Sequence, residues 1–121
     1  MRTYIDVFKT ENSRDRRVSL SSSIYLRRKG FVPVILCRGN DVTVPDIDEH
    51  KFLINEEVSY GTFVANMRRK IAKTDAKRSI IFFVKDNILP IFSATMAYIY
   101  REYQDEDGFL YITYISEKVQ G

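Results

Sequence analysis

The chain has 121 residues, of which 45% are hydrophobic and 29% are charged, and its formal net charge is +3. This length suits a single domain with a self-supporting core, and the composition excludes a largely disordered chain. The longest apolar run, Val32 to Cys37, has the length of a strand and is too short to span a bilayer.

Helices and strands are predicted in chain order from local patterns. Residues 3–10 and 15–28 have short helical or irregular character. The β-branched, apolar run from Phe31 to Cys37 indicates a strand, and residues 39–41 supply turn residues after it. Lys51–Ile54 is predicted to form the second strand.

A helix is predicted to follow the second strand. Ser59 can cap it, and it should run to about Lys73. Its apolar residues Phe63, Met67 and Ile71 recur at every fourth position, so they form one stripe that would face the core.

The last third of the chain predicts a strand, a helix and a strand. Ile80–Val84 is apolar at every position, which favours a central strand buried on both faces. Ser93 can cap a helix that buries Met96 and Ile99, and the final strand should run from Phe109 to Ile115.

This order of elements predicts an α+β fold. A helix that crosses between two pairs of strands brings the later strands alongside the first. The result is a ubiquitin-like β-grasp with a four-stranded mixed sheet and two N-terminal helices added. We expect an N-terminal helical subdomain over 1–29, a β-grasp body over 30–116 and a flexible tail over 117–121.

The positive charge is concentrated at the N-terminal end. Residues 1–29 carry 8 Lys or Arg against 3 Asp or Glu, a net +5, whereas residues 30–121 carry 11 against 13, a net −2. This pattern suggests an acidic partner or an anionic surface, although a solvated helix face explains it equally well. No aromatic residues alternate with Arg16 and Arg17, so no nucleic-acid partner is expected.

Residues that could perform catalysis are scarce. Cys37 lies inside an apolar strand, where cysteine usually packs as a small hydrophobe, and His50 is predicted to be solvated. The single cysteine excludes an internal disulfide and favours a cytoplasmic location. The spacing of the Asp46–Glu49 carboxylates fits no calcium loop, and Asp105–Asp107 is interpreted as a solvated turn. We therefore expect no catalytic residues, no metal and no cofactor.

Two features point to binding or transfer. If Lys51–Ile54 is an edge strand, an extended peptide could pair with it, and pockets for alternate peptide side chains would form on its two faces. Equally, these side chains could be ordinary core residues. The sequence ends in Gly121, and glycine can enter narrow clefts because it lacks a Cβ.

A series of short motifs spans residues 31–121. They are, in order, Val32–Ile35, Asp46–Asp48 with Lys51–Ile54, Gly61 and Phe63 with Arg68–Ile71, Phe82–Val84, Ser93–Met96, Ile99 and Tyr100 with Glu102, and Asp107–Tyr111 with Tyr114. In these residues the chain resembles the GABARAP family of autophagy ubiquitin-like modifiers.

The resemblance implies a function. Members of that family are conjugated through the terminal glycine, here Gly121, to phosphatidylethanolamine. Activating and conjugating enzymes carry the carboxylate as thioesters, and a cysteine protease processes and deconjugates the protein. The cytoplasmic protein thereby reaches the autophagosome membrane, where it recruits receptors that carry an aromatic-x-x-aliphatic motif.

The resemblance also implies the residues that bind the motif. The aromatic pocket would use Ile24, Pro33, Ile35, Lys51, Leu53 and Phe109, and the aliphatic pocket would use Phe52, Ile54, Val58 and Phe63. Arg68 would attract acidic residues that flank the motif. Asn55 and Asn66 replace the usual proline and leucine and would make the aliphatic pocket more polar, and Leu20 replaces a usual acidic residue.

Three alternatives remain open at this point. The chain could be the related autophagy modifier that is attached to a protein lysine. It could be a non-conjugated module that binds peptides or cytoskeletal surfaces through the same edge strand. A small enzyme that uses Cys37 is the third.

Overall fold

The computed structural model describes residues 2–73, 78–85 and 87–117. The elements are, in order, α1 (Tyr4–Glu11), α2 (Arg14–Arg27), β1 (Phe31–Arg38), β2 (Lys51–Asn55), α3 (Tyr60–Ile71), β3 (Ile80–Val84), α4 (Met96–Tyr103) and β4 (Leu110–Ser116). Both N-terminal segments are helical, and every predicted strand is present.

The four strands form one mixed sheet in the order β2-β1-β4-β3. β1 pairs parallel to β4, while the other two pairings are antiparallel. This arrangement confirms the predicted ubiquitin-like β-grasp with two added helices. The prediction that Ile80–Val84 lies centrally is wrong, because β3 is an edge strand in which Ile81 and Phe83 are only half-buried.

The sheet separates two apolar clusters, and β1 contributes to both. Val34 and Leu36 belong to the larger cluster, which also contains the predicted α3 stripe and Met96. Ile35 points to the other face, where it packs with Phe8 and Phe109 beneath the N-terminal helices. β1 is therefore the strand that is buried on both faces.

The helices begin where side-chain oxygens can accept backbone N–H groups. Ser59 caps α3 as predicted, since its Oγ accepts from the N–H of Thr62 at 3.1 Å. The prediction that Ser93 caps the next helix is wrong: Thr95 is the cap, and its Oγ1 accepts from the N–H of Tyr98 at 3.1 Å. Both residues are good caps by type, so only the backbone path distinguishes them.

The acidic turn at Asp105–Asp107 forms ion pairs with the N-terminal helices. Its three ion pairs are Lys9 Nζ to Asp105 Oδ1 at 3.1 Å, Arg14 Nε to Glu106 Oε1 at 3.1 Å and Arg17 Nη1 to Asp107 Oδ2 at 2.6 Å. Asp107 is buried, so the interpretation of this segment as a solvated turn is wrong at Asp107, although Glu106 is exposed. Part of the N-terminal positive charge thus neutralises carboxylates of the body.

Gly108 is where α2 approaches this turn most closely. Its φ is +90°, and a Cβ at this position would lie 3.0 Å from the Cβ of Ser21 and closer still to its Oγ. The Ser21 hydroxyl is held in place, because it donates to the Asp107 carbonyl at 2.5 Å and lies 3.1 Å from the Val18 carbonyl. Glycine therefore fits both the backbone conformation and the space.

We predict that Gly108→Ala destabilises the protein more than Gly30→Ala does. Gly30 has a similar φ of +88°, but no atom lies within 4 Å of a Cβ placed there. Backbone strain alone should cost about 1 kcal/mol at either site, and overpacking at Gly108 should add about 1–3 kcal/mol. Urea denaturation of the two variants measures this difference, and equal losses would contradict the close approach.

Candidate peptide-binding site

β2 lies at the edge of the sheet. It pairs with β1 in a register that sets Lys51 opposite Ile35 and Leu53 opposite Pro33. No other strand in the described part of the chain pairs with its outer side. The backbone groups of that side can accept an extended peptide as an additional strand.

An apolar cavity of about 180 Å³ lies beside β2, between the sheet and α2. Five residues predicted for the aromatic pocket line it, namely Ile24, Pro33, Lys51, Leu53 and Phe109. The sixth, Ile35, does not line the cavity: it is fully buried in the cluster with Phe8 and Phe109. The structure thus brings together residues from α2, β1, β2 and the position directly before β4.

Four further residues line this cavity, namely Phe8, Leu20, Val34 and Phe52. Phe8 is buried and meets Phe109 edge-on, with ring centroids 5.6 Å apart. Lys51 lines the cavity, and its ammonium lies 5.4 Å from the Phe8 ring centroid. Phe8 comes from α1, and no local sequence pattern indicated its contribution.

The predicted aliphatic pocket lies around the other face of β2. Phe52, Ile54 and Val58 are half-buried and pack against the larger core. Phe63 belongs to that core and is 1% exposed, so it packs beneath these residues and is not itself part of the surface. A shallow apolar surface of three residues results.

Asn55 and Asn66, the two polar residues that replace the usual proline and leucine of the family, make local hydrogen bonds. Asn66 is exposed on α3, and its Oδ1 accepts from Arg69 Nη2. Asn55 ends β2, and its Oδ1 accepts from the N–H of Glu57 at 2.8 Å. Arg68 is also exposed; its Nη2 donates to the Ile80 carbonyl at 3.4 Å, and it does not line the apolar cavity beside β2.

A second cavity, of about 390 Å³, lies at the start of β2. Phe52, Met67 and Ile71 contribute its apolar wall, Asp46–Glu49 contribute carboxylates, and Lys70 lies 6.0 Å from the Phe52 ring centroid. The sequence did not indicate this cavity, because its walls come from α3 and from the segment before β2.

Cys37 and His50, the two residues first considered for catalysis, both pack against other parts of the protein. Cys37 is 1% exposed, and burial raises the pKa of its thiol. The prediction that His50 is solvated is wrong: it is half-buried, its ring stacks on Tyr4 at 3.9 Å, and its Nδ1 lies 3.0 Å from the Leu36 carbonyl. Within residues 2–73, 78–85 and 87–117, no group of three His, Cys, Asp or Glu side chains is arranged to hold a metal ion.

The predicted conjugation residue, Gly121, lies outside the described residues. Most of the predicted tail over 117–121 does so as well. None of the helices in the described part of the chain has the length and apolar character needed to cross a bilayer.

A mixed four-stranded β-grasp sheet with helices packed on both faces defines a ubiquitin-like protein. The family described as "Autophagy protein Atg8 ubiquitin like" matches residues 16–121. The chain therefore belongs to the Atg8 family, which confirms the resemblance seen in the sequence motifs.

Similar proteins extend over nearly the whole chain. Autophagy-related protein 8a of Arabidopsis thaliana is 42% identical over 114 residues, which are 94% of this chain and 92% of the relative. The Atg8 of Trypanosoma brucei has 31% identity and a TM-score of 0.80, over 94% of this chain and 97% of that one. The Plasmodium falciparum Atg8, solved in complex with an Atg3 peptide, has 30% identity and a TM-score of 0.81, over 91% and 98%.

Proposed function

We propose that this protein is a ubiquitin-like autophagy modifier that is conjugated through Gly121 to phosphatidylethanolamine. In that form it recruits receptors with an aromatic-x-x-aliphatic motif to the autophagosome membrane. The observation that carries the receptor-binding part is the free edge of β2 with an apolar cavity directly beside it.

The geometry of a strand explains the spacing of the motif. In an extended peptide paired with β2, residues at positions i and i+3 point to opposite faces. The aromatic side chain would enter the cavity between Lys51 and Phe109, and the aliphatic one would rest on Phe52, Ile54 and Val58. Acidic residues flanking the motif would meet the Lys51 ammonium and the exposed Arg68 guanidinium.

Membership of the Atg8 family supports the conjugation part of the proposal. We expect an activating enzyme, a conjugating enzyme and a deconjugating cysteine protease as partners. The Plasmodium Atg8 binds an Atg3 peptide. A peptide segment of the conjugating enzyme is the corresponding ligand proposed for the β2 edge of this chain.

Reconstitution tests the conjugation. The protein would be incubated with the activating and conjugating enzymes, ATP and liposomes that contain phosphatidylethanolamine, with a control lacking ATP. We expect an ATP-dependent, membrane-attached product in which mass spectrometry places the lipid on Gly121. The absence of such a product from intact protein would overturn this part of the proposal.

Two other functions predict different outcomes. A modifier of proteins would be recovered from cells with Gly121 joined to a lysine side chain, and mass spectrometry of the covalent partner would identify it. A non-conjugated binding module would keep its cellular localisation after Gly121→Ala. The family relationship favours the lipid-linked modifier.

A further inference from the structure

The walls of the β2 cavity are almost entirely apolar. Eight of the nine residues that line it have apolar side chains, and the ninth is Lys51. An ammonium group donates hydrogen bonds and accepts none. No lining side chain can therefore accept a hydrogen bond from a ligand.

Backbone carbonyls next to the cavity are already engaged. The Ile24 carbonyl accepts from the N–H of Arg28 at 2.8 Å, and the Phe109 carbonyl accepts from the N–H of Asp105 at 2.8 Å. Val34 is paired with Phe52 of β2 on one side and with Leu110 of β4 on the other, so its backbone groups lie within the sheet, and Pro33 is paired with Leu53 of β2. The outer carbonyls of β2 would bond the added peptide strand itself.

A donor carried into this cavity would lose its bond to water and would find no side-chain acceptor to replace it. A tryptophan brings an indole N–H and a tyrosine brings a hydroxyl, and both groups normally find a partner when buried. Phenylalanine brings none. We infer that the cavity selects phenylalanine at the aromatic position of its peptide ligands, and that Leu20 determines this selectivity because it occupies a wall position where a polar side chain could accept.

Leu20 is suited to this role by its position. It lies on α2 one helical turn before Ile24, is half-buried, and packs against the cluster of Phe8, Ile35 and Phe109. Glutamine at position 20 would have similar reach and would present an amide oxygen to the cavity. The inference rests on the proposed motif binding and adds the chemical class of the aromatic residue.

Four peptides that differ only at the aromatic position test the inference. They carry phenylalanine, tyrosine, tryptophan or 1-methyltryptophan, followed by x-x-Leu, and their affinities would be measured by fluorescence polarisation. For the wild-type protein we expect the phenylalanine peptide to bind more tightly than the tyrosine and tryptophan peptides, and tighter binding of either of those two would overturn the selectivity. Methylation of the indole nitrogen should change the affinity by less than about twofold, because no hydrogen bond is lost.

The variant Leu20→Gln should reverse this pattern. It should bind the tryptophan peptide about 5- to 150-fold more tightly than the 1-methyltryptophan peptide, because the indole N–H gains an acceptor. The control Leu26→Gln makes the same change on α2 at a side chain that is 69% exposed, and it should behave as wild type.

The outcomes separate this inference from the proposed function. If none of the four peptides binds the wild-type protein, motif binding itself is wrong. If the peptides bind but methylation weakens wild-type binding by more than about fivefold, the cavity does contain an acceptor, and the selectivity is wrong while motif binding stands.

Discussion

Replacing Asp107 with alanine should lower the free energy of unfolding by about 3–5 kcal/mol. Its carboxylate is buried and accepts hydrogen bonds from Arg17 Nη1 at 2.6 Å, from the Tyr111 hydroxyl at 2.5 Å and from the N–H of Phe109 at 2.9 Å. Without it, the Arg17 guanidinium, whose side chain is only 12% exposed, would be left as an unpaired charge.

Urea denaturation would measure the loss against a matched control. Glu106→Ala breaks the neighbouring pair with Arg14, but that glutamate side chain is 71% exposed, so the cost should be at most about 1 kcal/mol. Adding Arg17→Met to Asp107→Ala should recover part of the stability, because the buried cation is removed as well. Similar losses for Asp107→Ala and Glu106→Ala would contradict the expectation that the buried Arg17–Asp107 pair matters more for stability than the exposed Arg14–Glu106 pair.

The Arg17–Asp107 pair also bears on the cavity. Arg17 lies on α2, which supplies Leu20 and Ile24 to the cavity wall, and Asp107 lies two residues before Phe109. The carboxylate holds the N–H of Phe109 and the Tyr111 hydroxyl, and burial together with this bond raises the pKa of Tyr111. The pair therefore fixes two walls of the cavity relative to each other.

The parts of the fold that depend on local patterns were predictable from the sequence. The apolar run of β1, the Ser59 cap and the α3 stripe each have a short-range signal, and each appears in the structure. The position of β3 was not predictable in this way. Its apolar residues alternate between buried and half-buried because successive side chains point to opposite faces of the sheet. Its place at the edge depends on pairings between segments far apart in the chain, which a local pattern does not contain.

In the candidate site, too, the features with a local sequence signal were predictable and those that depend on tertiary packing were not. The alternation along β2 predicted two faces, and the family resemblance supplied six of the residues that line the cavity: five predicted for the aromatic pocket, and Phe52, predicted for the aliphatic one. The contribution of Phe8 to the cavity was missed because α1 reaches the cavity only through tertiary packing. Asp107 was misread for a similar reason: its partner Arg17 is 90 residues away in the chain, and no local pattern distinguishes it from exposed Glu106.

Truncating the walls of the β2 cavity should weaken motif binding strongly. We expect Leu53→Ala and Lys51→Ala each to cost about 1–3 kcal/mol of binding free energy, as anchor contacts do. Leu53 contributes apolar area beside Pro33, its partner in the β1–β2 register, and Lys51 contributes its stem next to the Phe8 ring. Titration of a fluorescent aromatic-x-x-Leu peptide measures both losses.

Lys51→Met separates the two contributions of the lysine. Methionine keeps an apolar stem at the wall but removes the ammonium, so binding of a peptide without acidic flanking residues should change little. A peptide with acidic flanks should lose affinity and much of its salt dependence. Leu89→Ala is the control, because Leu89 is 63% exposed and lines neither β2 cavity. Unchanged affinity in Leu53→Ala would mean that the aromatic side chain binds elsewhere.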